Sequence, residues 1–348
     1  MKLLVSALEP SSNLHLKEAL KEIQDIELMG IFDSSLGDPL YDISQMAIMG
    51  VVDALKRLRW FFKVADEMVT LAKQADKILL MDSSGFNLPL AKKLKKAYPN
   101  KEIIYYILPQ VWITRPKRVK RLEAYCDRLL GILPFEIDYY QYKAEYVGHP
   151  LLDEIKLTMR DQIERSNREK TISYLPGSRR GEISKLMPLY RQLKKRLHTE
   201  QALLVVPSTF DQEMIDELYG DTDGFEIVRD TQAALYRSDF AFICSGTATL
   251  EAALIGTPFV LNYIAKRVDY FIGTKLLGLK QIGLANIILN HYDGTTLHNE
   301  LIQDDVTLDN LLWEYYNFDQ KLFVRKADEL RAYLSHGSSQ NVAKIIME

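Results

Sequence analysis

Phe240-Ala241-Phe242-Ile243-Cys244-Ser245-Gly246-Thr247-Ala248-Thr249-Leu250-Glu251 reads as a buried strand, a turn of small residues and the opening of a helix. An unbroken apolar run with no polar alternation suits a strand covered on both faces, the environment of a parallel sheet. Gly246 lets backbone approach a ligand closely, and the first N–H groups of a helix have no partner within it. Those donors and the helix dipole favour an anion, so Ser245, Gly246, Thr247 and Ala248 form a candidate pyrophosphate site. Glu251, one turn into the helix, could accept hydrogen bonds from a ribose diol. The same residues also fit an ordinary capped helix, with Ser245 or Thr247 as cap and Glu251 completing the capping pattern.

Outward from this stretch the same rhythm of strand, turn and helix runs along the 348-residue chain. Apolar runs predict strands at 3–8, 78–81, 103–108, 129–133, 172–175, 203–206, 240–244 and 259–262. Helical periodicity falls between them, at 14–23, 87–97, 182–197 and 247–255. The repeated βα order predicts an α/β protein of doubly wound parallel sheets. The length suits two domains. A strongly polar stretch at 153–170 places the boundary, giving residues 1–159 and 160–319 on either side of a cleft. Residues 320–348 read as a helical segment able to pack back on the first half.

Hydrophobic residues make up 47% and charged residues 26%, the balance of a globular protein with a sizeable core. A net charge of −3 argues against a general nucleic-acid binder. Cys126 and Cys244 lie in apolar surroundings and read as buried thiols of a reducing cytoplasm, without disulfide or metal-ligand spacing. The N-terminus reads as a first strand rather than a signal peptide. No run approaches the roughly 18 apolar residues that a membrane span needs, so membrane contact would be peripheral.

A second turn of the phosphate-holding kind is Leu175-Pro176-Gly177-Ser178-Arg179-Arg180-Gly181-Glu182. Gly177 and Ser178 permit a tight turn, and Arg179 offers a planar cation to a pyrophosphate. Both loops would lie at the carboxyl ends of parallel strands, where open α/β sheets bind ligands. In the first half, Glu9-Pro10-Ser11-Ser12-Asn13 and Asp82-Ser83-Ser84-Gly85-Phe86-Asn87 each follow a strand. If a hydroxyl attacks there, a base must take its proton. Asp82 is the first nominee and Glu9 the second, although a turn-stabilising aspartate explains Asp82 equally well. His149, in Val147-Gly148-His149-Pro150, lies near the predicted hinge and is a third candidate; the other five histidines read as structural.

On a helix, Val51, Ala54, Leu55, Leu58, Phe61, Phe62 and Ala65 share one arc, with Lys56, Arg59 and Lys63 in a neighbouring stripe beside Trp60. That pattern suits either a core-facing helix or an interfacial one whose cations meet anionic headgroups. A second basic run, Arg115-Pro116-Lys117-Arg118-Val119-Lys120-Arg121, could serve phosphate or lipid.

Taken in order, several segments resemble the lipid-A-disaccharide synthase family. They are Met49-Gly50-Val51-Val52, the 82–87 turn, Pro109-Gln110-Val111-Trp112, Leu133-Pro134-Phe135-Glu136 and Val147-Gly148-His149-Pro150. The 175–179 and 245–251 loops, Ala285-Asn286 and Glu300-Leu301-Ile302-Gln303 continue the series. The resemblance implies a GT-B type fold of two Rossmann-like domains, the first on the acceptor and lipid side and the second binding UDP-sugar. It implies inverting transfer of 2,3-diacylglucosamine from UDP to 2,3-diacylglucosamine 1-phosphate, without metal or other cofactor, at the cytoplasmic face of a Gram-negative inner membrane. Arg179 and the 245–251 turn would hold UDP, with Asn286, Glu300 and Gln303 nearby, and a homodimer is compatible.

The chain departs from the family pattern at four places. Its first turn, 9–13, is neither glycine-rich nor strongly acidic. Gly85 stands where the family has an aspartate, Gln110 where it has serine, and Ala285 where it has proline. The missing aspartate leaves the identity of the base open between Asp82 and another carboxylate. Two other readings remain: a different GT-B enzyme acting on UDP-N-acetylglucosamine, such as a transferase or epimerase, and a non-catalytic nucleotide-sugar binder.

Overall fold

A computed structural model describes residues 1–45, 54–112, 116–156, 169–265 and 281–348, with side chains from residue 59 in the second stretch. The expectations for the Lys56 side chain, Arg115 and the 157–168 part of the polar stretch lie outside the described residues. The chain divides into two compact units, Met1–Glu154 with Leu334–Glu348, and Ile155–Tyr333.

The first unit carries strands β1 (Lys2–Ala7), β2 (Glu27–Ile31), β3 (Lys77–Met81), β4 (Ile103–Tyr106), β5 (Arg128–Gly131) and β6 (Ala144–Tyr146). All pair in parallel, in the order β2-β1-β3-β4-β5-β6. Its helices are α1 (Pro10–Leu20), α2 (Ala54–Leu71), α3 (Ser84–Ala97), α4 (Lys117–Tyr125) and α5 (Pro150–Glu154). The second unit carries β7 (Thr171–Leu175), β8 (Gln201–Val205), β9 (Glu226–Val228), β10 (Phe240–Cys244), β11 (Phe259–Tyr263) and β12 (Glu300–Ile302). These are again parallel, in the order β12-β11-β10-β7-β8-β9. Helices α6 (Arg180–Arg196), α7 (Gln212–Tyr219), α8 (Thr231–Arg237), α9 (Thr247–Ile255), α10 (Leu284–Asp293), α11 (Leu308–Asn317) and α12 (Gln320–Leu334) accompany them. The chain then returns to the first unit as α13 (Ser338–Met347).

The unbroken apolar runs follow from burial on both sides. On β1, Leu3 and Val5 pack with Leu16 of α1 and with Val342 and Ile346 of α13. Leu4 points the other way, into a cluster with Ile78, Leu80, Met68 of α2 and Leu94 of α3. In the second unit Tyr174 stacks on Phe242 and meets Tyr190 of α6 edge-on in an aromatic centre. Both cysteines are free and buried.

One expectation is corrected on α2. Phe62, placed on the core arc from the sequence, is 52% exposed and has the Lys93 ammonium 5.6 Å from its ring. The buried stripe runs through Phe61, Val64, Ala65 and Met68, the three- and four-residue helical spacing, which leaves Phe62 on the flank.

Candidate functional site

In an open parallel sheet the ligand crevice forms where strand order reverses, because the loops on either side of that point diverge. In the second unit β7, β8 and β9 run to one edge and β10, β11 and β12 to the other, so the reversal lies between β7 and β10. The loops leaving those two strands are the 176–179 and 245–246 turns. Gly177 has φ +94°, and a Cβ there would lie 2.5 Å from Glu182 Oε2 and 3.3 Å from Cys244 Sγ. A side chain at Gly177 would therefore crowd both the first turn of α6 and the end of β10, in a conformation that favours glycine. Glu182 reaches back from the first turn of α6 to the Arg179 guanidinium at 3.0 Å. The Arg179 side chain remains 80% exposed.

At the second loop Gly246 is the residue preceding α9, and no side chain caps the helix. The cap position thus falls on Gly246 rather than on Ser245 or Thr247, and Thr249 Oγ1 donates back to the Gly246 carbonyl at 2.7 Å. The cap residue of α9 brings no side chain to the opening N–H groups, and the Arg179 cation stands on the neighbouring loop. Such a combination suits an anion. Cys244 is a neutral thiol beneath the loop, pushed up to about 12 by burial and then by the Glu182 carboxylate. Glu251 lies half-buried, one turn into α9.

Asn286 is buried with its amide fully used. It donates to the His298 carbonyl at 2.9 Å and to Glu300 Oε1 at 2.8 Å, and accepts from the N–H groups of Leu297 (2.8 Å) and His298 (3.2 Å). Glu300 also accepts from the N–H groups of Ile282 and Gly283 at 2.8 and 3.1 Å. Asn286 consequently acts by holding Glu300 at the start of β12. Gln303, just past that strand, is half-buried with a left-handed φ of +58°.

The first unit has its own reversal between β1 and β3, flanked by the 9–13 and 82–87 turns. Asp82 and Ser83 are both left-handed, with φ of +47° and +33°, a costly conformation for residues with side chains. Asn87 maintains it. Its Nδ2 donates to the Met81 carbonyl at 2.8 Å and the Asp82 carbonyl at 3.2 Å, while its Oδ1 accepts from Ser6 Oγ at 2.6 Å. Ser83 Oγ in turn donates to Glu9 Oε1 at 3.1 Å. Burial holds the Asp82 carboxyl above the usual range; a Ser83 N–H bond opposes that, the Glu9 charge adds to it, and His15 opposes it. Asp82 and Glu9 therefore lie together, with Glu9 exposed.

His149 is placed differently from the other two candidates. It is 3% exposed and its Nδ1 accepts from the Leu151 N–H at 3.3 Å, inside the first turn of α5. Burial pulls it down to about 3, with His15 adding to the effect, so it is a neutral ring. His15, which sequence alone assigns to a structural role, is hydrogen-bonded through Nδ1 to Glu154 and lies within electrostatic reach of Asp82.

A family model described as lipid-A-disaccharide synthetase matches residues 3–345. The chain is 48% identical to the lipid-A-disaccharide synthase of Helicobacter pylori (strain G27), over 98% of this chain and 96% of that protein. It is 45% identical to the Campylobacter jejuni (strain RM1221) protein of the same name, over 99% of both. The chain belongs to the lipid-A-disaccharide synthase family. Among solved structures it resembles a Staphylococcus aureus MnaA–UDP complex, with a TM-score of 0.60 at 13% identity, covering 99% of this chain and 95% of that one. It also resembles the glycosyltransferase of kitacinnamycin, with a TM-score of 0.56 at 16% identity, covering 99% and 97%. These likenesses show the fold, the two-domain GT-B type.

The side chains that the helical stripe and the basic run offered for lipid or acceptor occupy two places. On α2, Arg59 and Lys63 are exposed, and Lys63 lies 3.7 Å from Glu67. Trp60 is half-buried, its ring edge-on to Tyr41 at 5.4 Å and to Phe61 at 5.2 Å, so part of its area covers the core. Arg118 belongs to α4, beside the mouth of a cavity. No helix among the described residues is long and apolar enough to cross a membrane. The site residues that sequence reasoning missed in this family member are Asn87 as the clamp of the 82–87 turn, and the His15–Glu154 pair. Asn87 stood in a quoted motif. The pair is separated by 139 residues and carries no local signal.

Proposed function

We propose that the protein catalyses inverting transfer of 2,3-diacylglucosamine from UDP to the 6-hydroxyl of 2,3-diacylglucosamine 1-phosphate. Its family makes it a glycosyltransferase of lipid A biosynthesis. The observation that carries the mechanistic reading is that two anion-suited loops leave the neighbouring strands of the β7/β10 reversal, with exposed Arg179 on one and the first turn of α9, without a side-chain cap, after the other. UDP held there would depart with one more negative charge than the sugar nucleotide carries, and these donors stabilise that added charge. Asp82, lifted above the usual carboxylate range by burial, suits the base that takes the acceptor's hydroxyl proton as the new C–O bond forms and the bond to UDP breaks. Glu9 would tune Asp82 through its charge, and His149 would support the α5 turn. The exposed cations of α2 suit peripheral contact with the anionic cytoplasmic surface of the inner membrane.

The test is UDP release from UDP-2,3-diacylglucosamine with and without the monosaccharide 1-phosphate acceptor. Acceptor-dependent release supports the assignment. Turnover confined to UDP-N-acetylglucosamine would replace it with the soluble-transferase or epimerase reading, and tight UDP binding without any turnover would favour a binder.

A further inference from the structure

In the first unit a cavity of about 530 Å³ opens between the first turns of α3 and α4. Leu88 and Pro89 give it an apolar wall, and Lys117, Arg118 and Arg121 supply cations. Its volume is that of a site for a small amphiphile. Among the described residues none that lines it is a carboxylate, and Gly85 leaves one wall open: a Cβ added there would meet nothing within 4 Å. Both helices start here without a side-chain cap and without an acidic residue in the first turn. The cations of α4 therefore sit at the positive end of its own dipole, an arrangement that opposes folding and that a bound anion would relieve.

The cavity begins two residues beyond Asp82, at Ser84. The Tyr105 hydroxyl donates to the Asp82 carbonyl, and the ring feels both the Asp82 carboxylate and the Arg118 guanidinium. Arg118 of the cavity and the candidate base thus both act electrostatically on one tyrosine, which is hydrogen-bonded to the Asp82 backbone. We propose that this cavity seats the phosphate-bearing end of the acylated sugar acceptor, with the phosphate on Lys117, Arg118 and Arg121 and the start of an acyl chain along Leu88 and Pro89. The inference rests on the transferase reading and adds to it the location and chemistry of the acceptor site.

Steady-state kinetics of Arg121→Glu test it, beside Lys120→Glu, an equal charge change on a neighbouring exposed residue that does not line the cavity. Arg121→Glu should raise the acceptor KM by about tenfold or more, the loss of one charge-assisted contact. Its donor KM should stay unchanged, and Lys120→Glu should leave both unchanged. An acceptor lacking its phosphate should bind wild type and Arg121→Glu alike. An unchanged acceptor KM, or a difference that persists without the phosphate, would overturn the proposal. If vesicles of phosphatidylglycerol lose affinity equally for both variants while the acceptor KM is constant, the patch meets headgroups instead and the proposal falls. Should wild type show no turnover, the transferase reading has failed. Calorimetric binding of short-chain 2,3-diacylglucosamine 1-phosphate still decides the cavity, because loss of binding in Arg121→Glu alone supports it and equal binding refutes it.

Discussion

Replacing Gly177 by alanine probes the 176–179 loop of the proposed nucleotide site. At φ +94° a side chain is strained by roughly 1–2 kcal/mol. The new Cβ would also lie 2.5 Å from Glu182 Oε2 and 3.2 Å from Glu182 Cβ, so Glu182 must withdraw from Arg179. That ion pair is exposed on the arginine side and its loss adds no more than about 1 kcal/mol. Cys244 Sγ, 3.3 Å away, limits escape on the other side. Together these disfavour the ligand-ready loop by about 2–3 kcal/mol, which corresponds to UDP binding weaker by roughly 30- to 150-fold. Isothermal titration with UDP reads this directly. Gly181→Ala is the control, since its Cβ meets nothing within 4 Å and the position belongs to the first turn of α6. If Gly177→Ala binds UDP as tightly as wild type while Gly181→Ala also does, UDP does not depend on this loop and the placement of the nucleotide is wrong.

Arg179→Ala should lower turnover and UDP affinity together, and unchanged kinetics would remove it from the site. Asp82→Asn should reduce kcat by roughly 10²–10⁴-fold with UDP affinity intact, because the loss is of proton transfer. In wild type the rate should fall as pH drops through a value above the usual carboxylate range, since the base must be ionised; a profile unchanged in Asp82→Asn would exclude it. Glu136 is 1% exposed, accepts the Ile132 and Leu133 N–H groups at 2.7 and 3.0 Å, and is pushed up to about 7 by burial. Between its unfolded value of 4.5 and about 7 the folded protein keeps a proton that the unfolded chain has lost. Its stabilising contribution is complete below the lower value and disappears as pH rises through the upper, by about 3 kcal/mol in urea unfolding. Glu136→Gln should flatten that decline, and an equally steep decline in the variant would show that other groups cause it.

The central strands were legible because both faces are covered and their sequences are unbroken apolar runs. The four strands left out, β2, β6, β9 and β12, are the four edges of the two sheets. Among the described residues each has one partner strand and partly exposed side chains, and Ala144–Tyr146 and Glu226–Val228 show no apolar run to detect. All four loops singled out from the sequence flank the two strand reversals, yet the reversals themselves depend on strand order, which is set by long-range pairing. For the same reason His15 and Glu154 could not be matched from sequence. The chain position of His149 beside Gly148 and Pro150 suggested a hinge group, but only the fold shows its ring enclosed and neutral. Phe62 was misplaced because a helical arc drawn over many residues is wider than the stripe that packing uses.

The most direct measurement is the structure of the product formed from ¹³C-labelled UDP-2,3-diacylglucosamine and unlabelled 2,3-diacylglucosamine 1-phosphate, read by mass spectrometry and NMR. The account predicts a disaccharide 1-phosphate whose labelled sugar is β-linked to the 6-oxygen of the unlabelled one, with UDP released in equal amount. An α linkage, a labelled sugar isomerised while still attached to UDP, or label recovered only as free sugar would contradict it.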